Sequence, residues 1–257
     1  MPSRYARSKL GPTVEGRRAV LEAMRAGREV ERILLAEGIE TGPQIDETID
    51  RCRKASIPIE RVPRDHLDRL AHTRHHQGVV AVVSDARYST LEDILAVAAS
   101  RKEPPLVAVL DGIEDPQNLG AIVRTVECAG AHGVVIPERR AASVSPGSIR
   151  AAAGATEHVK IARVTNLVRS IEYFKQAGLW VYGLAGDGDR THWDADLARP
   201  TVLVIGAEGA GISRLVREKC DVLVRLPLLG KVESLNASVA AAIALYEAVR
   251  QRRAGLA

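Results

Sequence analysis

Short apolar runs alternate with amphipathic stretches along nearly the whole chain, and their spacing predicts a repeating strand–helix order. Ala19, Val20, Ala23 and Met24 share one helical face, and that helix stops at Gly27. A strand is predicted at 32–36, a helix through Ile45, Ile49 and Cys52, a strand at 57–62, a short helix at 64–70 and a strand at 79–84. Together they make a small α/β unit ending near Arg87. Residues 89–103 read as a connecting helix, and Pro104-Pro105 punctuates the start of a second unit. Here the apolar runs at 106–110, 133–136, 159–164, 179–184, 201–205 and 222–226 are short and nearly unbroken, as in parallel strands buried on both faces. Helices are predicted between them at 119–129, 166–177 and 238–253. The pattern is that of a doubly wound α/β domain, whose ligands sit beyond the carboxyl ends of the strands. The organisation expected is an arm at 1–12, a small α/β unit at 13–88, a linker at 89–104 and the larger domain at 105–257.

A length of 257 residues suits two domains, and 46 % hydrophobic with 26 % charged residues suits a soluble globular protein. No apolar run approaches the roughly 18 residues of a membrane span. The first residues lack the apolar core of a secretory signal, so a cytoplasmic protein is expected. Cys52, Cys128 and Cys220 are odd in number and widely spaced, which fits reduced core thiols better than disulfides or a zinc cluster. Charge placement adds more. Arg4, Arg7, Lys9, Arg17 and Arg18 stand against Glu15 alone in the first twenty residues, and this excess equals the whole net charge of +4. A basic arm suits contact with a polyanion such as RNA, although a solubilising tail has the same composition. His72, His75 and His76 lie in HTRHHQG with no carboxylate or cysteine at ligand spacing. A solvated polar turn that can touch RNA is expected there, and no metal centre.

Three strand ends carry candidate chemistry. In DGIEDPQNLGAIVRT, either Asp115 ahead of Pro116 or Asn118 could cap the helix that follows. Leu119, Ile122, Val123 and Val126 form its buried stripe. Arg124 falls off that stripe on the side of Gly120, where a missing side chain would leave room for a ligand; an ordinary solvated arginine would look the same. In IGAEGAGIS, Gly206, Gly209 and Gly211 do not have the G-x-G-x-x-G spacing of a dinucleotide fingerprint, and no triphosphate-binding loop is present either. A flexible turn with one acid, Glu208, remains. The third stretch, LPLLGKVESLNASVAA, leads from an apolar strand through Gly230, Lys231, Ser234 and Asn236 into an alanine-rich helix. Burial of Leu226, Leu228, Leu229 and Leu235 around these polar groups would build a small-molecule pocket. A strand–loop–helix corner packed on a core explains the stretch equally well.

Taken in order, NLGAIVRT, GAEGAGIS and PLLGKVESLNASVA resemble the three motifs of the SPOUT-class SpoU/TrmH RNA 2′-O-methyltransferases. Those motifs are N-x-G-x-x-x-R-T, G-x-E-G-x-G and P-x-x-G-x-x-x-S-L-N-x-S-x-A. The likeness covers roughly residues 105–253, while EGRRAVLEAM and HQGVVAVV resemble that family's small ribosomal-protein-like substrate-binding domain. Within the family the chain looks most like the bacterial 23S rRNA guanosine 2′-O-methyltransferases.

The resemblance implies a parallel-sheet α/β catalytic domain whose C-terminal segment forms a trefoil knot, a feature that pattern reading alone would miss. It implies S-adenosylmethionine as cofactor, held against Gly206, Leu226 and Leu235 with Leu228 lining the site, and a polar set of Asn118, Arg124, Glu208, Ser234 and Asn236. The reaction implied is in-line attack of a ribose 2′-hydroxyl on the sulfonium methyl group, with no metal. Arg124 would act as general base or, since guanidinium groups hold their proton in almost any setting, as a phosphate anchor that stabilises alkoxide charge. Asn118, Ser234 and Asn236 would orient the ribose, the loop or the methionine end, and Glu208 would hold the network. The partner implied is RNA, with 23S rRNA as the first reading and tRNA or a resistance-type rRNA site as alternatives. A homodimer completing the site across its interface is also implied. Val239, Ile243, Leu245 and Ala248 hint at that interface, though a core helix would use the same residues. A non-catalytic RNA-binding protein would be free to lose Arg124 or Asn236, and a nucleotide-dependent oxidoreductase would need the other glycine spacing.

Overall fold

The computed structural model describes residues 12–73, 75–83 and 88–254. Residues 1–11, the bulk of the basic arm, lie outside the described residues. The first unit is built on a four-stranded sheet of β1 (Thr13–Glu15), β2 (Val30–Ala36), β3 (Ile59–Val62) and β4 (Val79–Val83), in the order β1-β4-β2-β3. β4 runs antiparallel to both neighbours, and β2 and β3 are parallel. Alternation along β2 sends Ile33 and Leu35 to one face, beneath α1 (Arg17–Arg25) and α2 (Pro43–Ala55). Leu34 and Ala36 go to the other, against Leu67 of α3 (Arg64–Leu70). β4 is covered on both faces, which is why VVAVV shows no alternation.

β1 is a strand that the apolar pattern does not announce, since its three residues include a buried acid. The Glu15 carboxylate accepts hydrogen bonds from the backbone N–H of His72 (2.7 Å) and Thr73 (2.9 Å) and from the hydroxyls of Thr73 and Thr13. Those donors satisfy a charge that burial would otherwise penalise. They also correct part of the expectation of a solvated histidine turn, in which His72 and His75 are indeed exposed. The turn is pinned to β1, and His76 is buried, with Nδ1 accepting from the Gly78 N–H and Nε2 bonded to Asp68.

The second unit is a seven-stranded, wholly parallel sheet. Its strands are β5 (Leu106–Asp111), β6 (Gly133–Pro137), β7 (Lys160–Val164), β8 (Trp180–Leu184), β9 (Arg190–Thr191), β10 (Thr201–Gly206) and β11 (Val222–Arg225), in the order β7-β6-β5-β10-β8-β11-β9. β10 is inserted between β5 and β8, and β11 between β8 and β9. Each late strand thus enters between strands already laid down, an order consistent with the C-terminal knot. One face packs against α5 (Pro116–Cys128) and α9 (Ala237–Ala254), the other against α4 (Leu91–Arg101) and α7 (Leu167–Gln176). The short helices α6 (Pro146–Ala152) and α8 (Arg214–Arg217) have too few apolar periods to be read from sequence.

The segment expected as a linker is part of this second core. Ile94 of α4 is fully buried, and its side chain fills the space that a Cβ at Gly133 would need. The two units also meet directly. Ile149 of α6 lies in the first unit's core, and Arg28 forms an ion pair at 2.8 Å with Glu157, both side chains 10 % exposed. Of the three thiols, Cys52 is buried and Cys220 half-buried, but Cys128 is exposed at the end of α5, so it is no core residue.

His132 is buried just ahead of β6, where Nδ1 accepts the Leu106 N–H at 2.9 Å and Nε2 meets Glu103 at 3.1 Å. Burial pushes its pKa below the ordinary imidazole value. The unfolded chain therefore takes up this proton first as pH falls. The stability contributed is full above about pH 6.5 and is lost as pH drops from there towards the lower folded value. Calorimetric melting between pH 7.5 and 5 should show a steeper fall for the wild type than for His132→Gln.

Candidate active site

The carboxyl ends of β5, β10 and β11 carry the three motif segments. Asp115, not Asn118, caps α5: its carboxylate accepts the N–H groups of Gln117 (3.1 Å) and Asn118 (3.3 Å), with Pro116 in the first turn. This frees the Asn118 side chain, which donates to Glu208 Oε1 at 2.8 Å. Asn236 Nδ2 donates to the same oxygen at 2.7 Å and to Asn118 Oδ1 at 2.9 Å, and the Ala237 N–H reaches Glu208 Oε1 at 3.2 Å. Asn236 Oδ1 accepts from the N–H groups of Ser238 and Val239 and from the Ser238 hydroxyl, so this one side chain also caps α9. A carboxylate held at the start of an 18-residue helix has a favourable dipole partner.

Glu208 is positioned by a tight turn. The N–H of Ala207 donates to the Gly211 carbonyl at 3.1 Å, and the Gly211 N–H returns to the Ala207 carbonyl at 2.8 Å. Asp111, at the end of β5, accepts the Ser213 N–H at 2.7 Å and ties this turn to the neighbouring strand. Sequence reasoning passed over Asp111. Its only signal was an acid closing an apolar run.

Beside the network lies a cavity of about 270 Å³. Gly206, Leu226, Leu228 and Leu235, the set assigned to the cofactor by resemblance, all line it, together with Glu208 and Ser234. Leu184 at the end of β8, with Ala185 and Gly186 just beyond it, completes the wall and was not anticipated. The expected burial of the loop leucines is corrected. Leu228 and Leu235 are 39 % and 36 % exposed and Leu229 is 97 % exposed, so the pocket is an open cleft whose apolar wall faces solvent.

Asn118, Glu208 and Asn236 are thus brought together, and Ser234 stands at the cavity. Arg124 does not join the network. It is exposed two turns along α5 from Asn118, about 9 Å by helical rise, and makes no hydrogen bond or ion pair among the described residues. Gly120 does not make room for a ligand beside it. A Cβ there would sit 2.4 Å from the Ser148 carbonyl oxygen and 2.5 Å from the Ala151 Cβ, so this glycine lets α6 approach α5. Among the described residues no cluster of histidine, cysteine and acidic side chains could hold a metal ion, and no helix is long and apolar enough to cross a membrane.

Residues 105–246 match the model of the SpoU rRNA methylase family, and residues 13–89 match the RNA 2′-O-ribose methyltransferase substrate-binding model. The chain is 44 % identical over 239 residues to YacO of Bacillus subtilis, of the TrmH family of tRNA/rRNA methyltransferases, covering 93 % of this chain and 95 % of that protein. The SpoU methyltransferase AviRb of Streptomyces viridochromogenes, solved with AdoMet, superposes with a TM-score of 0.80 at 30 % identity, over 95 % of this chain and 91 % of that one. An AdoMet-bound rRNA methyltransferase of Sinorhizobium meliloti gives a TM-score of 0.76 at 27 % identity, over 93 % and 86 %. The chain belongs to the SpoU family of RNA 2′-O-ribose methyltransferases, with the family's substrate-binding unit ahead of its methylase unit.

Proposed function

We propose that this protein transfers the methyl group of S-adenosylmethionine to a ribose 2′-hydroxyl of 23S rRNA, at a guanosine. The observation that carries the reading is the Asn118–Glu208–Asn236 network at the mouth of an apolar cleft, where three segments distant in sequence converge. The cleft suits the cofactor chemically. Leucine walls accept the adenine ring and methionine chain, and Gly206, Leu226, Leu228 and Leu235 would hold it. Bound there, the cofactor supplies an activated methyl group on a sulfonium.

This chain's own residues orient and stabilise. Methyl transfer from such a cofactor would leave its sulfonium as a neutral thioether while the ribose oxygen takes the methyl group, with the hydroxyl proton passing to solvent water at the open mouth of the cleft. Asn118 and Asn236, held by Glu208, and Ser234 at the cleft would orient the ribose, the loop or the methionine end of the cofactor. Arg124, exposed and without a hydrogen bond or ion pair among the described residues, would take a substrate phosphate and stabilise developing alkoxide charge. The rRNA assignment is supported by the S. meliloti rRNA enzyme, which aligns along both units of this chain. Calorimetric titration with S-adenosylmethionine and with NADH, followed by ribose-methylation mapping of rRNA from cells lacking the protein, tests the reading. Binding of the first ligand only, and loss of one 23S methylation, is the expected result. Loss of a tRNA methylation instead would move the substrate.

We further propose a homodimer through the outer face of α9. Leu245 and Ala248 are core residues, but Val239 (45 %), Ile243 (38 %) and Tyr246 (50 %) form an exposed stripe at i, i+4 and i+7. A contiguous apolar face of this kind marks an interaction site. Ile243→Asp should shift the sedimentation profile from dimer to monomer and lower methyl transfer with it. A monomeric wild type with full activity would contradict the shared site.

A further inference from the structure

The carboxyl edge of the larger sheet has a fixed order: the loop after β6, the loop after β5, the turn after β10, then the loops after β8 and β11. The cofactor cleft belongs to the β10, β8 and β11 side, and the Asn118 network spans β5 and β10. The flank left beside the network on this edge is the loop after β6, and an RNA strand laid along the edge would reach the ribose position from there. That loop, residues 138–145, carries Arg139 and Arg140 side by side, both exposed. Neither makes a hydrogen bond or ion pair among the described residues. With Glu138 counted, the loop is still net positive.

The loop is anchored, not free. The Ala142 N–H donates to the Ile113 carbonyl at 2.7 Å, in the segment that leads into α5, and Ser145 caps α6. Val144 packs against both the second unit's core and the first unit's core. The loop is thus a seam between the two units, tied to the segment that leads into α5. Arg140 also holds a left-handed backbone, φ 55°, which glycine adopts more readily than arginine.

We propose that Arg139 and Arg140 grip consecutive phosphates of the RNA strand as it passes from the substrate-binding unit to the methylated ribose. The proposal rests on the methyltransferase reading above and adds two substrate contacts to it. Guanidinium groups are suited to this task because their planar fork matches phosphate oxygens.

The test is the salt dependence of binding to an unmodified 23S rRNA transcript, measured for the full chain and for the double variant Arg139→Ala/Arg140→Gly. The glycine relieves the left-handed backbone, so weakened binding cannot be charged to a damaged turn. Each lost phosphate contact should flatten the slope of log K against log salt by about 0.7, hence roughly 1.4 for the pair. KM for RNA should rise about tenfold or more, with S-adenosylmethionine affinity unchanged, and Arg139→Lys/Arg140→Lys should restore most of the slope. A double variant with the wild-type slope and KM overturns the proposal. Failure of the wild type to methylate the transcript would overturn the assigned reaction instead, and the slope is read independently of it.

Discussion

Arg124→Ala should reduce methyl transfer by about 100- to 1,000-fold in kcat, the range seen when one stabilising donor is removed from a developing oxyanion. Two observations make this variant informative. Arg124 is exposed and makes no hydrogen bond or ion pair among the described residues, so its loss removes no structural contact and melting should not change. It is also absent from the lining of the cleft beside the network, so if S-adenosylmethionine binds there its affinity should stay within about twofold. Folding and cofactor binding thus serve as internal controls, and single-turnover methylation under saturating RNA isolates the chemical step. Normal turnover would remove Arg124 from the mechanism. Arg124→Lys keeps the charge and loses the fork, so partial activity is expected of either role.

The contrast between Arg124 and its neighbours shows what sequence can and cannot reveal here. The apolar periodicity of β5, β10 and α5 is strong because both faces of a parallel sheet are buried, and those elements are found where the pattern puts them. The polar network is legible only as motif wording. Nothing in the spacing of Asn118, Glu208 and Asn236 says that 90 and 118 residues of chain fold back to place them within 3 Å of each other. The exposure of the loop leucines is hidden from the sequence for a related reason. Hydrophobicity says that Leu229 would gain from burial, but only tertiary structure decides whether a partner surface exists, and here Leu229 is left in solvent. The role of Gly120 is equally hidden. An absent side chain always leaves space, and in this fold α6 fills it. β1 and the Glu15 carboxylate escaped notice because a three-residue strand ending in an acid has no periodic signal, and the donors that justify its burial come from a turn 57 residues away.

Gly206 poses the same question in a form that experiment can settle, because two readings of it predict different results. As a cofactor contact, Gly206 would be needed so that the ligand can approach the backbone, and an alanine would weaken binding while leaving the apo protein untouched. The geometry favours a structural role first. A Cβ at this position would stand 2.2 Å from the Gly211 carbonyl carbon and 2.4 Å from both its oxygen and the Ile212 nitrogen. All three are backbone atoms, and they belong to a turn closed by paired hydrogen bonds between Ala207 and Gly211, so no flexible side chain can give way. Gly206→Ala should therefore open the turn and cost about 3 kcal/mol, the upper end of ordinary overpacking, or roughly 6–12 °C in Tm for a chain of this size. Opening the turn also displaces Glu208, whose Oε1 accepts from Asn118, Asn236 and the first N–H of α9. Cofactor affinity and methyl transfer should then fall together, by tenfold or more, as a consequence of the lost turn. Melting of the ligand-free variant decides between the readings: an unchanged Tm would make Gly206 a cofactor contact alone, and a lowered one makes it the closure on which the Glu208 network is hung.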